Sequence, residues 1–384
     1  MDRSRERVEE IRRTRSEVEN RAIDELFTGK ISRRDFMRRA TVLGMSASLA
    51  GFLAACSSDG GGNGGGGGSG GDTGEAGVIR FTFAPDPVWD YLKDSGIREE
   101  METDSGILII EQASWDEFGL YAGGFADVVS IASFEVPLLE EETGRPATVF
   151  GKYNIDRSIL VVPADSDAQT LEDLKGEKIA VWDTVSSTVV WGVLANEMYG
   201  LDFRTGGGDF ELVVVDLTNT GALAADREVA GALVLPDFNV PPLLNGEVRV
   251  LYDGRTAADL YAEVAGAPDH DGPMINIFMA PTDWYDAHPD EVAFFLSMWE
   301  RGIKEWQANQ DTIIESYPQH FAVETPDEIQ FIKDYLAAHD WFVETVYLDD
   351  AWVETESKIF PMLFDAGLSD SAESPRFDVV EAPA

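Results

Sequence analysis

The chain has 384 residues, 44% of them hydrophobic and 10% aromatic, which is enough apolar material for one large or two medium globular domains. Its formal charge of −42 is unevenly spread: residues 1–56 hold 12 basic against 9 acidic side chains, and the remainder holds 17 against 62. A body of that sign repels phosphate backbones and anionic lipid, which excludes nucleic-acid binding and charge-driven attachment to membranes.

In chain order, the segment Arg3 to Lys30 is of mixed charge and reads as helical. Ser32-Arg33-Arg34-Asp35-Phe36-Met37 follows, and then an apolar run from Ala40 to Ala55 that is rich in Gly, Ala and Ser. Paired arginines, Arg33 and Arg34, ahead of a mildly hydrophobic stretch mark a twin-arginine export signal. The run of 16 residues falls short of the roughly 20 that a spanning helix needs. It closes in Leu53-Ala54-Ala55-Cys56, which looks like a bacterial lipobox, so cleavage before Cys56 is expected to leave an acylated cysteine as a lipid anchor. Cys56 is the one cysteine of the chain, which excludes an intramolecular disulfide and a thiolate metal cluster. The near-pure glycine tract through Gly77 cannot bury a core; as a coil it spaces the body roughly 25 Å from the anchor.

From Val78 onward, short apolar runs alternate with longer amphipathic stretches, the pattern of an α/β protein. Strands are predicted over Val78–Ala84, Gly106–Glu111, Asp127–Ile131, Ser158–Val162, Lys178–Val181, Glu211–Asp216, Gly231–Leu235 and Met274–Met279. Helices are predicted over Val88–Met101, Trp115–Gly123, Ser133–Thr143, Ser187–Gly200, Leu217–Asp226 and Ala257–Ala265. Residues 289–365 carry helical periodicity alone, with starts at Pro289-Asp290-Glu291 and at Thr325-Pro326-Asp327-Glu328. The four histidines stand in no metal-ligand spacing, and Asp269-His270-Asp271, flanked by Pro and Gly, reads as a solvated loop; no metal or cofactor is expected.

Three stretches carry a resemblance: Asp127-Val128-Val129-Ser130 with Glu135-Val136-Pro137, then Ser158 to Pro163, then Leu171-Glu172-Asp173-Leu174-Lys175-Gly176-Glu177-Lys178-Ile179-Ala180-Val181. They resemble the nitrate/taurine/sulfonate/thiamine-pyrimidine class of ABC-transporter substrate-binding proteins, over residues 78–280 and more loosely to about 360. The resemblance implies a two-lobed periplasmic-binding-protein fold of type II, with two crossing strands and a ligand closed between the lobes. The expected division is a signal peptide at 1–56, a tether at 57–77, a first lobe at 78–162, a second at 163–272, and a return to the first at 273–384 with C-terminal helices. Ser158–Val162 and Met274–Met279 sit where the crossings belong, and a hinge there lets ligand stabilise the shut state.

In open α/β sheets, small molecules lie beyond the carboxyl ends of strands. Four loops meet that description, and their candidate ligand-binding residues are Asp86 and Trp89; Ser133, Phe134 and Glu135; Trp182, Asp183, Ser186 and Ser187; and Asp237 and Phe238. The loops hold no Lys or Arg, which favours a flat, neutral or weakly cationic heteroaromatic such as a pyrimidine, held by stacking and by carboxylate hydrogen bonds. A sulfonate or nitrate on helix N-termini is the alternative.

The expectation is an exported, lipid-anchored monomer on the outer face of the cytoplasmic membrane that hands a small-molecule solute to an ABC permease and ATPase. A sensory lipoprotein is a second reading. An enzyme making the thiamine pyrimidine is disfavoured, since no nucleophile stands with a positioned base and neither a Gly-x-Ser-x-Gly elbow nor a phosphate-cradling loop is present.

Overall fold

The computed structural model of the protein describes residues 77–382. Arg33, Arg34, Cys56 and the tether as far as residue 76 lie outside the described residues.

Two sheets organise the body. The first contains β1 (Val78–Phe83), β2 (Leu108–Ala113), β3 (Val128–Ile131), β4 (Ala147–Ile155), β10 (Met274–Pro281) and β11 (Arg376–Phe377); the second contains β5 (Ile159–Pro163), β6 (Lys178–Val181), β7 (Glu211–Val214), β8 (Gly231–Val234) and β9 (Val248–Val250). Their orders are β11-β4-β10-β3-β1-β2 and β7-β6-β8-β5-β9. Each sheet has a parallel trio, β2-β1-β3 or β7-β6-β8, followed by an antiparallel strand. In both sheets that antiparallel strand has just arrived from the other lobe: β10 follows the second lobe's helices, and β5 follows β4. Each predicted crossing therefore delivers a strand into the sheet it reaches. The two crossings are neighbours, because the Asp156 N–H donates to the Pro273 carbonyl at 2.9 Å.

All eight predicted strands form, with ends shifted by a few residues. Strands β4, β9 and β11 were not expected. The residues of β4 are almost wholly buried, yet Gly151, Lys152 and Asn154 interrupt the apolar pattern that would announce a strand. The predicted helix Val88–Met101 is two, Pro87–Asp94 and Ile97–Ser105. Gly96 lies between them with φ 79°, a conformation that glycine adopts without strain, and it turns the chain there.

The first lobe is held by an aromatic core. Helix Pro289–Ser316 places Val292, Phe295, Leu296, Trp299, Ile303 and Trp306 along one buried stripe at spacings of three and four. Trp299 stacks on Trp89 at 5.3 Å between centroids and lies 5.0 Å from Phe278, while Tyr153 stacks on Phe278 at 4.8 Å. In the second lobe Leu160, Val162, Ile179, Val181, Trp191 and Leu233 form a separate core.

The C-terminal segment, expected to close the first lobe, reaches both. Helix Ile359–Asp365 buries Ile359, Phe360 and Leu363 in the second lobe's core, after which β11 returns to pair with β4 in the first sheet. Apolar residues at 359, 360 and 363 form one helical stripe, and the second lobe supplies the surface that covers it. Just before that helix, Glu356 is fully buried where the lobes meet: it accepts from the Ser133 hydroxyl and from the Met274 N–H (3.0 Å), and it pairs with His270 Nε2 at 3.0 Å. The His270 side chain is thus 3% exposed, so the reading of its triplet as a solvated loop is corrected by a buried carboxylate partner that lies 86 residues away.

Candidate functional site

Between the sheets lies a cavity of about 650 Å³. The loops that follow six parallel strands all reach it: Ala84–Pro87 after β1, Trp115–Phe118 after β2, Ala132 and Glu135 after β3, Trp182, Asp183, Val185 and Ser186 after β6, Asp216–Thr218 after β7, and Asp237 and Phe238 after β8. Convergence of this kind is what the shared topology of the two sheets dictates, since each parallel trio points its carboxyl ends at the other lobe.

Of the residues singled out in the sequence, Asp86, Glu135, Trp182, Asp183, Ser186, Asp237 and Phe238 line the cavity. Trp89, Ser133, Phe134 and Ser187 do not. Trp89 belongs to the first lobe's core and donates its indole N–H to Glu111, and Phe134 is buried within the second lobe's apolar cluster. Ser133 is spent on Glu356, and Ser187 donates to Asp156 Oδ1 at 2.9 Å. In each case an inward-facing neighbour captures a side chain whose position in the loop suggested a free one.

Sequence reasoning missed a second set of lining residues, contributed by the crossing and by the C-terminal helices: Tyr153, Asn154, Arg157, Asn276, His320 and Trp341, together with Trp115 and Glu117. The polar run Asn154-Ile155-Asp156-Arg157 between two apolar stretches is the signal that could have found the first of them. His320 and Trp341 carry none, because a short 3-10 turn and a connection between helices, both remote in sequence, bring them in.

Two ends of the cavity differ in charge. At one end, Arg157 donates through Nε and Nη2 to both oxygens of Asp237, at 2.9 and 2.8 Å, while its guanidinium lies 4.3 Å from the centroid of the Trp341 ring. Asp86 caps helix Pro87–Asp94, accepting from Val88 N at 2.8 Å and Trp89 N at 3.3 Å. Burial raises its carboxyl to about 6, against the lowering pull of His320 and Arg157. His320 is held in turn by Asp90 at 2.8 Å.

At the other end, Glu117, Glu135 and Asp183 have no basic partner among the described residues. Glu135 accepts the Ala132 N–H at 3.0 Å, and Asp183 accepts the Val185 N–H at 3.2 Å. Burial lifts Glu117 to about 7, tempered by its own backbone N–H and reinforced by Glu135; burial and then Glu135 likewise raise Asp183 to about 7. Glu135 is raised by burial, tempered by the N–H groups of Ala132 and Ser186. Ser186 adopts φ 47°, a left-handed backbone conformation uncommon outside glycine.

A hydrogen-bonded chain forms the floor. The Tyr153 and Ser130 hydroxyls are 2.7 Å apart, Asn276 Nδ2 donates to Ser130 at 3.0 Å, and Asn154 Nδ2 donates to Asn276 Oδ1 at 3.2 Å. Asn154 Oδ1 is buried and has no partner within the protein. At the rim, Trp115 of the first lobe is 65% exposed and meets Phe238 of the second edge-to-face at 6.0 Å. Among the described residues no cluster of His, Cys, Asp and Glu is arranged to hold a metal ion, and no helix is long and apolar enough to cross a membrane.

Residues 109–313 match the model of the NMT1/THI5 like family. No curated protein sequence is significantly similar to the chain. Among solved structures, the periplasmic aliphatic sulphonate binding protein SsuA from Escherichia coli aligns at 15% identity and a TM-score of 0.62, over 81% of this chain and 95% of that one. The alkanesulfonate-binding protein SsuA from Xanthomonas axonopodis pv. citri, solved with MOPS bound, aligns at 15% identity and 0.59, over 79% and 97%. A Candida albicans gene product described as exhibiting the generic periplasmic binding protein structural fold aligns at 12% and 0.53, over 79% and 98%. Likeness at these identities establishes the fold, which is the two-lobed periplasmic-binding-protein fold that the sequence resemblance implied.

Proposed function

The chain belongs to the NMT1/THI5 like family, and from that membership we propose that it is an extracytoplasmic solute-binding protein that encloses a small molecule between its lobes and passes it to an ABC permease and its ATPase. The observation that carries this reading is the interlobe cavity itself, built from the loops of six parallel strands and placed beside a two-span hinge. Relatives in fold whose names record sulfonate binding support the solute-capture role. The twin-arginine signal with Arg33 and Arg34, acylation at Cys56, and a lipid-anchored monomer outside the cytoplasmic membrane belong to the same proposal.

The solute we propose is a flat heteroaromatic of the pyrimidine type. It is favoured over a sulfonate because the cavity is lined by seven carboxylates against Arg157 and His320, with Trp115, Phe118, Trp182 and Phe238 as apolar walls. Calorimetric titration with hydroxymethyl-pyrimidine, taurine and nitrate tests it. Heat from the pyrimidine alone is expected; tight binding of the anions alone rejects the aromatic solute. Loss of the protein from the membrane fraction on Cys56→Ser substitution tests the anchor.

A further inference from the structure

The unpaired end of the cavity constrains the solute more closely. We propose that the protein captures its solute as a planar cation bearing N–H donors, an amidinium-like protonated base, with Glu117, Glu135 and Asp183 reading its charge and Asn154 Oδ1 accepting one N–H. This rests on the solute-binding reading above.

Three observations carry the inference. First, the cavity offers an anion almost nothing. Arg157 is the one Lys or Arg among the described lining residues, and it spends two N–H groups on Asp237 and its face on Trp341. Asp237, 1% exposed, already neutralises that guanidinium, so a sulfonate or carboxylate would reach only its remaining N–H groups, beside a buried counter-charge that repels it.

Second, the three carboxyls come from both lobes, Glu117 and Glu135 from the first and Asp183 from the second, and they face one space. Bringing them together without a cation concentrates like charge in a low dielectric, so closure of the empty cleft is opposed and closure over a cation is favoured. Asp116 and Asp156 add negative charge at this end, while Arg157 and His320 offset Asp86 at the other.

Third, an independent acceptor points to a donor. Asn154 is 6% exposed, and its Nδ2 is tied through Asn276 and Ser130 to Tyr153, which sets the orientation of the amide. The Oδ1 atom is left buried and unpartnered, as is Glu117 Oε2. A buried acceptor without a donor is costly, and a solute N–H answers it. Trp115, Trp182 and Phe118 supply faces for a flat cation to lie against.

A proton balance follows. Near neutral pH the raised carboxyls hold protons that an incoming cation displaces, so binding releases protons and tightens as pH rises through about 7.

The test uses the purified full chain and three probes of matched shape: benzamidinium, benzamide and benzoate. We expect benzamidinium to bind about tenfold or more tighter than benzamide at pH 8, benzoate to be silent, and the preference for the cation to shrink at pH 5.5. Glu135→Gln and Asp183→Asn should each reduce the ratio of benzamidinium to benzamide affinity, measured within the same variant, to about threefold or less, a charge-selective loss that a purely structural role would not produce. Tightest binding by benzoate or taurine overturns the cation and leaves solute capture standing. Binding of pyrimidine but no preference for benzamidinium over benzamide also overturns the cation alone. Silence from all of these probes, hydroxymethyl-pyrimidine and nitrate included, counts against solute capture and against the inference with it.

Discussion

Replacing Asp183 by Asn should make the empty protein more stable at alkaline pH, although it removes a charged side chain from an acidic surface. The carboxyl's ordinary value of 3.8 is raised in the folded chain to about 7, first by burial and then by Glu135. An acid whose folded value is raised keeps its proton in the native state where the unfolded chain has lost it. Stability therefore falls as pH rises from about 4 through about 7, and stays at the lower level above that. At 1.36 kcal/mol per pH unit the full cost at pH 8 has a ceiling of about 4 kcal/mol. Asp183 is half-buried and titrates together with Glu117 and Glu135, so an amide at this one position should recover about 1–2 kcal/mol. Urea unfolding of both forms at pH 8 and at pH 4 measures the difference. The variant should have the higher midpoint at pH 8 and lose its advantage at pH 4. Equal stability at pH 8, or the same difference at both pH values, would refute the account of this end of the cavity.

Three further outcomes follow from the packing. Arg157→Ala leaves Asp237 buried and unpaired and should cost about 3–5 kcal/mol in urea unfolding, whereas the double change Arg157→Met with Asp237→Leu should recover most of it. Trp299→Ala opens a void against Trp89, Tyr153 and Phe278 at the centre of the first lobe; a loss of about 3–5 kcal/mol is expected, with no change in probe selectivity in the variant that remains folded. Phe360→Ala, in the C-terminal helix, should lower stability by about 3 kcal/mol and raise amide hydrogen exchange in the second lobe's core, because its ring is 1% exposed there; exchange confined to the first lobe would contradict the packing.

The parts of this fold that local sequence could announce are those with a clean period. The strands Lys178–Val181 and Gly231–Val234 are short apolar runs bounded by charge or turn residues, and helix Pro289–Ser316 repeats its apolar positions from Val292 to Trp306 after a proline start, up to a kink at Asn309. Strand β4 escaped because Lys152 is buried against Asp271 and the Trp352 ring and the Asn154 amide is buried donating to Asn276, placements that no pattern of polarity reveals. The same contrast holds in the cavity. Loops that follow recognisable strands supplied Asp86, Glu135, Trp182, Asp183, Ser186, Asp237 and Phe238, whereas Arg157, Asn154 and Trp341 enter from a crossing and from a remote helix connection. Within the loops, sequence could name the polar residues but not which of them turn inward: Ser133 and Ser187 were claimed by Glu356 and Asp156, both distant along the chain.

Glu356 and the helix behind it change what the waist can do. Two adjacent spans alone, at Asp156 and Pro273, would let one lobe swing on the other like a door. The C-terminal segment adds a third leg, planted in the second lobe by Ile359, Phe360 and Leu363 and fastened again to the first by Arg376 and Phe377. Such a body does not swing freely: any opening has to be taken up both by the residues that lead from Tyr347 into the last helix and by residues 366–375 that lead out of it to β11. Neither lobe is therefore a portable module. A chain cut before Ile359 would leave apolar surface bare on one half and an unpaired edge on the other.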